Sequence, residues 1–147
     1  MRFHLIDRIE SLELGASVRA RKVTSLSEEY WEDGLMPPPF VLEALCQAMT
    51  WLIVATTDRR KRAALLQVGS VTWHRCVGPG EVLALIAEVE PGAFGEETAV
   101  LSGRVESGGE LVLEARELMC ALIDADTLAD LDDTRRLQNM LTGSGGE

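Results

Sequence analysis

In the run MPPPFVLEALCQAMT, residues 36–50, a single carboxylate stands among apolar residues. Glu43, Gln47 and Thr50 fall at i, i+4 and i+7, a spacing that puts all three on one face of a helix, with Cys46 beside them. A carboxylate in that setting is suited to moving a proton as general acid or base, or to attacking a carbonyl. The neighbouring amide and hydroxyl are suited to holding a polar substrate. No Lys, Arg or His lies three or four residues from Glu43, so the sequence predicts a largely buried carboxylate without a cationic partner. Burying such a group costs several kcal/mol unless something compensates it. The structural alternative is a core carboxylate satisfied by backbone groups near the helix start.

The helix that would carry this stripe is expected over residues 39–56. It is apolar nearly all round, from Phe40 to Val54, and a helix without a wet face must be covered on most sides. Pro37, Pro38 and Pro39 stiffen its start, where a missing N–H is tolerated. Ahead of it, Val18, Ala20 and Lys22 alternate with Arg19, Arg21 and Val23, which reads as a strand. The leading RFHLIDRIESL fits a short helix or a strand, and SLSEEYWEDGLMPPP reads as a loop. Behind the helix come four strand-like segments, LLQVGSVTWHRCV, EVLALIAEVE, ETAVLSGRVES and ELVLEARELMCALID. VGPGE turns the first into the second, and ESGGE joins the last two as a hairpin. A sheet with one face to bury and a helix needing cover solve each other's problem, so an α+β fold is expected, with a curled antiparallel sheet wrapped around one long helix. That layout is the hot dog fold. The domain is expected over 1–124, followed by an acidic tail over 125–147 with a short helix and a disordered end.

The chain has 147 residues, enough for one domain with a proper core. Its formal charge of −10 argues against nucleic acid or an anionic membrane as partner. The three cysteines, Cys46, Cys76 and Cys120, form no CxxC pair and no cluster with histidine, so no metal or other cofactor is expected. Cys46 and Cys120 sit in apolar runs and read as small core residues. The N-terminus is charged from its start, unlike a signal peptide, and the longest apolar run is short for a membrane span. A cytoplasmic location is expected. The basic cluster Arg59, Arg60, Lys61 and Arg62 follows the helix; it is either a solvated loop or a dock for an acidic carrier protein or a coenzyme A phosphate.

Several motifs, in order, resemble the 3-hydroxyacyl-acyl-carrier-protein dehydratases, the FabZ and FabA group. FHLIDRI is similar to their opening Phe-Leu-Leu-Val-Asp-Arg-Val segment, and GASVRARKVTSLSEEYW to their first strand and the turn ending Glu-x-Phe-Phe. MPPPFVLEALCQA aligns without a gap to their Met-Pro-Gly-x-Leu-x-x-Glu-Ala-x-Ala-Gln, and VTWHRCVGPGEVLAL resembles their Arg-Phe-Arg-Arg-Pro-Val-x-Pro-Gly-Asp strand. The resemblance implies a hot dog dimer with a thioester tunnel at the subunit boundary. A loop histidine there moves the proton alpha to the thioester, a helix acid helps expel the hydroxyl, and the glycine N–H of Met-Pro-Gly binds the carbonyl.

Glu43 falls on the acid of that pattern and Gln47 on the glutamine after it. Only Glu32, Asp33, Gly34 and Leu35 lie between Trp31 and Met36, and none is the histidine. Pro38 stands at the glycine position and has no N–H to donate. Gly34 is the candidate replacement donor. His4 and His74 lie elsewhere, in the leading segment and on a strand. The expected function is therefore binding or processing of acyl thioesters, on acyl carrier protein or coenzyme A, without standard dehydration. Glu43 is the candidate catalytic residue, and Gln47, Gly34, Pro38 and Thr50 are candidate substrate contacts. The alternatives are a hot dog thioesterase using Glu43, or the non-catalytic half of a heterodimer with a histidine-bearing dehydratase. A structural module without ligand is the bland counterpart. A homodimer or higher oligomer is expected, because Val82–Ala87 is apolar at both alternating phases and asks for cover on both faces.

Overall fold

A computed structural model of the chain describes residues 3–127 and 131–144. Its strands are β1 (Arg8–Glu13), β2 (Ser17–Val23), β3 (Lys61–Trp73), β4 (Val82–Phe94), β5 (Thr98–Ser107) and β6 (Glu110–Asp124). The helices are α1 (Pro38–Thr56) and α2 (Leu131–Thr142), with a short 3-10 turn at Ala125–Thr127. The strands make one antiparallel sheet in the order β1-β2-β4-β5-β6-β3. The chain leaves β2 in one half of the sheet, runs through α1, and enters β3 at the far edge. Register shifts in β1, in β3, in β5 and toward the end of β4 let the sheet curl around the helix. This is the hot dog arrangement.

The start of α1 follows from its prolines. Pro37 is the N-cap residue, in an extended conformation, and Pro38 and Pro39 occupy the first turn. Val41, Ala44, Leu45, Ala48, Met49, Leu52 and Ile53 are buried, and Leu83, Leu85, Leu101, Val105, Leu113 and Leu118 of the sheet belong to the same core. By length and hydropathy α1 would also pass for a membrane span, but half of it is enclosed by the protein, as befits a core helix. A close approach beneath α1 requires Gly103. A Cβ there would lie 2.6 Å from the Ile86 carbonyl oxygen and about 3 Å from the side chains of Met49 and Leu45.

Two features differ from the expectations. The basic cluster is not all loop: β3 begins at Lys61, because pairing with β6 continues out to Lys61↔Asp124 and Arg62↔Ile123. The outer face of β4 is not a bare apolar surface. Ile86 lies between Arg19 and Arg104 in register, and Ala84 between Arg21 and Glu106. Arg104 Nε donates to Glu106 at 2.7 Å and Arg19 Nε to Glu10 at 3.3 Å, so apolar stems with paired heads flank the strand.

β2 keeps the predicted alternation, with Val18, Ala20 and Lys22 buried. Lys22 is only 1% exposed. Its Nζ donates to Glu28 Oε1 at 2.6 Å and lies 5.4 Å from the centre of the Tyr30 ring. Tyr30 donates its hydroxyl to the same carboxylate, which also accepts the Ser25 N–H at 3.0 Å. Tyr30 in turn packs on Phe40 of α1, and Phe40 on Phe3. The loop between β2 and α1 is thereby fastened at both ends. After Asp124, α2 lies against β1, with Leu141 buried and Thr134 accepting from Arg62 Nη2 at 2.5 Å. The end expected to be disordered is TGSGGE, residues 142–147; Thr142 instead closes α2, and residues 145–147 lie outside the described residues.

Candidate functional site

A cavity of about 210 Å³ opens between α1 and the β3–β6 edge of the sheet. Glu43, Cys46, Gln47, Met49 and Thr50 line it from the helix, Ala63 and Leu65 from β3, and Leu118 and Cys120 from β6. The polar stripe read from the sequence therefore borders a hollow. Helix spacing puts these residues on one side of α1, and the sheet stops at β3 before covering that side. Exposure falls inward. Glu43 and Leu65 are exposed at the mouth, Cys46, Gln47, Thr50 and Ala63 are half-buried along the walls, and Met49 and Leu118 are fully buried at the bottom.

The expectation of a largely buried Glu43 is corrected: its side chain is exposed in the single chain. The physical reason is its place at the seam, where neither sheet edge reaches. Gln47 organises this corner. Its Oε1 accepts the Leu5 N–H at 2.9 Å, and its Nε2 donates to the Phe3 carbonyl at 2.9 Å and to Glu43 Oε1 at 3.0 Å. One amide thus clamps the leading segment to α1 and steers the carboxylate. Thr50 donates its hydroxyl to the Cys46 carbonyl at 3.0 Å, which leaves its oxygen lone pairs for another partner. Burial, with Glu43 and Cys120 nearby, pushes the Cys46 thiol up to about 12, and burial also raises Cys120.

The other candidates lie apart from the cavity wall. Asp33 and Gly34 both have positive φ, 49° and 75°, and form a tight two-residue turn closed by the paired Glu32 and Leu35. Gly34 and Pro38 do not line the cavity. At the start of α1 the first residue with an N–H, Phe40, donates it to the Pro37 carbonyl at 2.9 Å. His74 meets Glu114 at 3.2 Å on the outer face of the sheet, on the side away from α1. His4 is exposed and sits between Phe3 and Leu5, the residues Gln47 holds, outside the cavity lining.

The basic cluster gathers at the other end of α1, roughly 20 Å from Glu43 by helix rise. Its charges are partly engaged. Lys61 Nζ donates to Asp124 at 2.6 Å and holds that carboxyl below its usual range, Arg59 lies 3.3 Å from Asp58, and Arg60 Nε donates to the Thr57 carbonyl at 3.0 Å. Arg60 and Lys61 also border a second hollow of about 510 Å³ together with Glu96, Asp124 and Asp126, a mixed-charge rim. Among the described residues no cluster of His, Cys, Asp or Glu is arranged to hold a metal ion.

Sequence reasoning missed the far wall of the cavity. Ala63 and Leu65 sit in an unremarkable apolar stretch, and only the pairing Leu65↔Cys120 brings β3 and β6 to the helix stripe. It also gave no role to Lys22, although a lysine in phase with Val18 and Ala20 was the available signal.

Residues 1–116 match the FabA-like domain family. A 3-hydroxyacyl-[acyl-carrier-protein] dehydratase FabZ of Chlamydia pneumoniae is 35% identical over 135 aligned positions, covering 86% of each chain. Among solved structures, smu.793 of Streptococcus mutans bound to acetyl CoA superposes with a TM-score of 0.66 at 17% identity, covering 84% of this chain and 93% of the other. A hypothetical thioesterase of Streptococcus pneumoniae with coenzyme A gives 0.62 at 19%, covering 80% and 85%. The two structures share the fold.

Proposed function

The chain belongs to the FabA-like family of hot dog proteins, and from that premise we propose that it binds acyl thioesters, carried by acyl carrier protein or coenzyme A in fatty acid or polyketide-type metabolism, with the acyl chain in the cavity beside Glu43. The observation that supports this reading is the cavity itself: an apolar floor, a carboxylate at the mouth, and an amide and a hydroxyl along the walls. A saturated chain gains by burial against Met49 and Leu118, and a thioester or 3-hydroxyl would meet Glu43 at the mouth and Thr50 on the wall. The protein works in the cytoplasm.

On its own the chain does not dehydrate 3-hydroxyacyl thioesters. Dehydration needs a base for the alpha proton and a donor for the developing enolate oxygen. The Trp31–Met36 connection carries no histidine, and Pro38 and Pro39 carry no N–H. His74 faces away from the cavity. Groups that act as a unit do not fail gently when two are gone. The test is to add a 3-hydroxydecanoyl thioester to the purified protein and follow both binding heat and enoyl absorbance. Binding without enoyl formation is expected, with binding lost in Ala63→Phe, which fills the cavity. Robust turnover abolished by Glu43→Ala would overturn the non-dehydrating reading.

A second reading is hydrolysis, favoured by the exposure of Glu43 at the cavity mouth, where it has access to water. Release of free coenzyme A from an acyl-coenzyme A panel, lost in Glu43→Gln, would establish a thioesterase instead. The unpaired edge of β3 supports a second copy as partner. Leu65, Leu66 and Trp73 on it are 49%, 61% and 40% exposed, an edge that a protein ordinarily covers or pairs. A histidine-bearing dehydratase is the alternative occupant of that edge, and it would bring its base to Glu43.

A further inference from the structure

We infer that Met49 is the residue that sets the length of acyl chain the cavity accepts, with a chain of about eight carbons as the best fit; this rests on the acyl-binding reading above. The length follows from volume. A protein cavity of ~150 Å³ holds benzene, and on that scale about 210 Å³ holds an alkyl chain of about eight carbons.

The role of Met49 follows from its place. It is one of three buried residues of the lining, with Leu118 and Cys120 of β6. Leu118 is a strand residue, paired with Val68 on one side and Leu101 on the other. Met49 is different. Its Cε methyl reaches the middle of the sheet and lies over Gly103, 3.0 Å from where a Cβ would stand. A side chain on Gly103 would crowd the methyl out of that place. Met49 is therefore the floor of the cavity, and its methyl fills the space above Gly103 that it shares with the Leu45 side chain. Its thioether chain is unbranched and has three rotatable bonds, so it fills an irregular gap without being wedged in it. Shortening this side chain vacates the space over Gly103 that the methyl fills, which deepens the cavity and gives a longer acyl tail a place to run. Shortening Cys46 or Thr50, on the walls, widens the cavity without deepening it.

Acyl N-acetylcysteamine thioesters from butanoyl to tetradecanoyl, which carry no nucleotide or carrier protein, isolate the chain-length term. Thermal stabilisation of the wild-type protein should rise to about the octanoyl thioester and fall away by dodecanoyl. Met49→Val, checked for native circular dichroism, should move the optimum longer by about two carbons, and Met140→Val, at an exposed methionine of α2 outside the cavity lining, should leave it in place. The wild-type profile needs no variant to fold: equal stabilisation from octanoyl to tetradecanoyl would overturn the inference. An optimum unmoved in a folded Met49→Val would overturn it as well. If no thioester stabilises the wild-type protein, the acyl-binding reading itself fails, an outcome distinct from a flat or unmoved profile.

Discussion

Gln47 is the residue on which the corner around Glu43 depends. It makes three hydrogen bonds at once, two of them to the backbone of the leading segment. Gln47→Ala should cost about 2 kcal/mol, at about 1 kcal/mol for each of the two bonds to backbone, and should speed hydrogen exchange at the Leu5 amide. Unchanged protection of Leu5 would show that the segment is held by Leu5 and Ile6 packing alone. Glu43→Gln is a contrasting case. The side chain is exposed and a glutamine can still accept from Gln47, so stability should stay within about 0.5 kcal/mol by thermal unfolding. The thiols offer a further check. Cys76 is exposed, Cys120 is buried, and Cys46 is half-buried with its thiol raised to about 12. Iodoacetamide at neutral pH should label Cys76 first and the other two only on unfolding, read by mass spectrometry. Rapid labelling of Cys46 would mean that the cavity is wetter than its lining implies. The stripe Glu43, Gln47, Thr50 was legible in the sequence because helix spacing is a local property. The exposure of Glu43 was not, because it depends on where a sheet edge stops.

At the scale of elements, the fastening between β2 and the loop after it governs the response to acid. Burial works against ionisation of Glu28, but its bonds to Lys22, Tyr30 and the Ser25 N–H outweigh that and hold its carboxyl below the ordinary value of 4.5. Glu81, burial notwithstanding, is held down likewise by Arg75, the Gly78 N–H and Ser107. Folding therefore favours the ionised form of both. Their stabilisation is complete above the unfolded value of 4.5 and is lost as pH falls below it through the folded values. The melting temperature should hold from neutral pH down to about 5 and then fall, less steeply in Glu28→Gln. Equal slopes would remove Glu28 from the account. Lys22→Ala leaves a hollow and a carboxylate without its cation, and should cost about 3 kcal/mol or more; Lys22→Met, which keeps the shape, should cost less. α1 and the β2 alternation could be read from periodicity alone. The start of β3 could not, since Lys61 and Arg62 look like loop charges until Asp124 and Ile123, sixty residues on, are seen to pair with them.

The whole molecule is a hot dog domain whose sheet closes around α1 on one side and leaves a seam on the other. The composition, the element order and the motifs made that architecture readable in advance. The need for a second subunit was inferred from β4, whose outer apolar residues are instead flanked by the stems of Arg19, Arg21 and Arg104. The better reason is now the unpaired edge of β3. Light scattering at micromolar concentration should report a dimer, through an interface well over about 1,000 Å²; a clean monomer would leave that edge to a different partner. The seam holds the central claim, that the cavity between α1, β3 and β6 receives an acyl chain. Methyl NMR of the protein titrated with octanoyl N-acetylcysteamine tests it most directly. The methyls of Met49, Ala63 and Leu118 should shift together, saturably, while Ile86 on the outer face stays still. Saturable shifts that spare those three methyls, or no shifts at all, would contradict it.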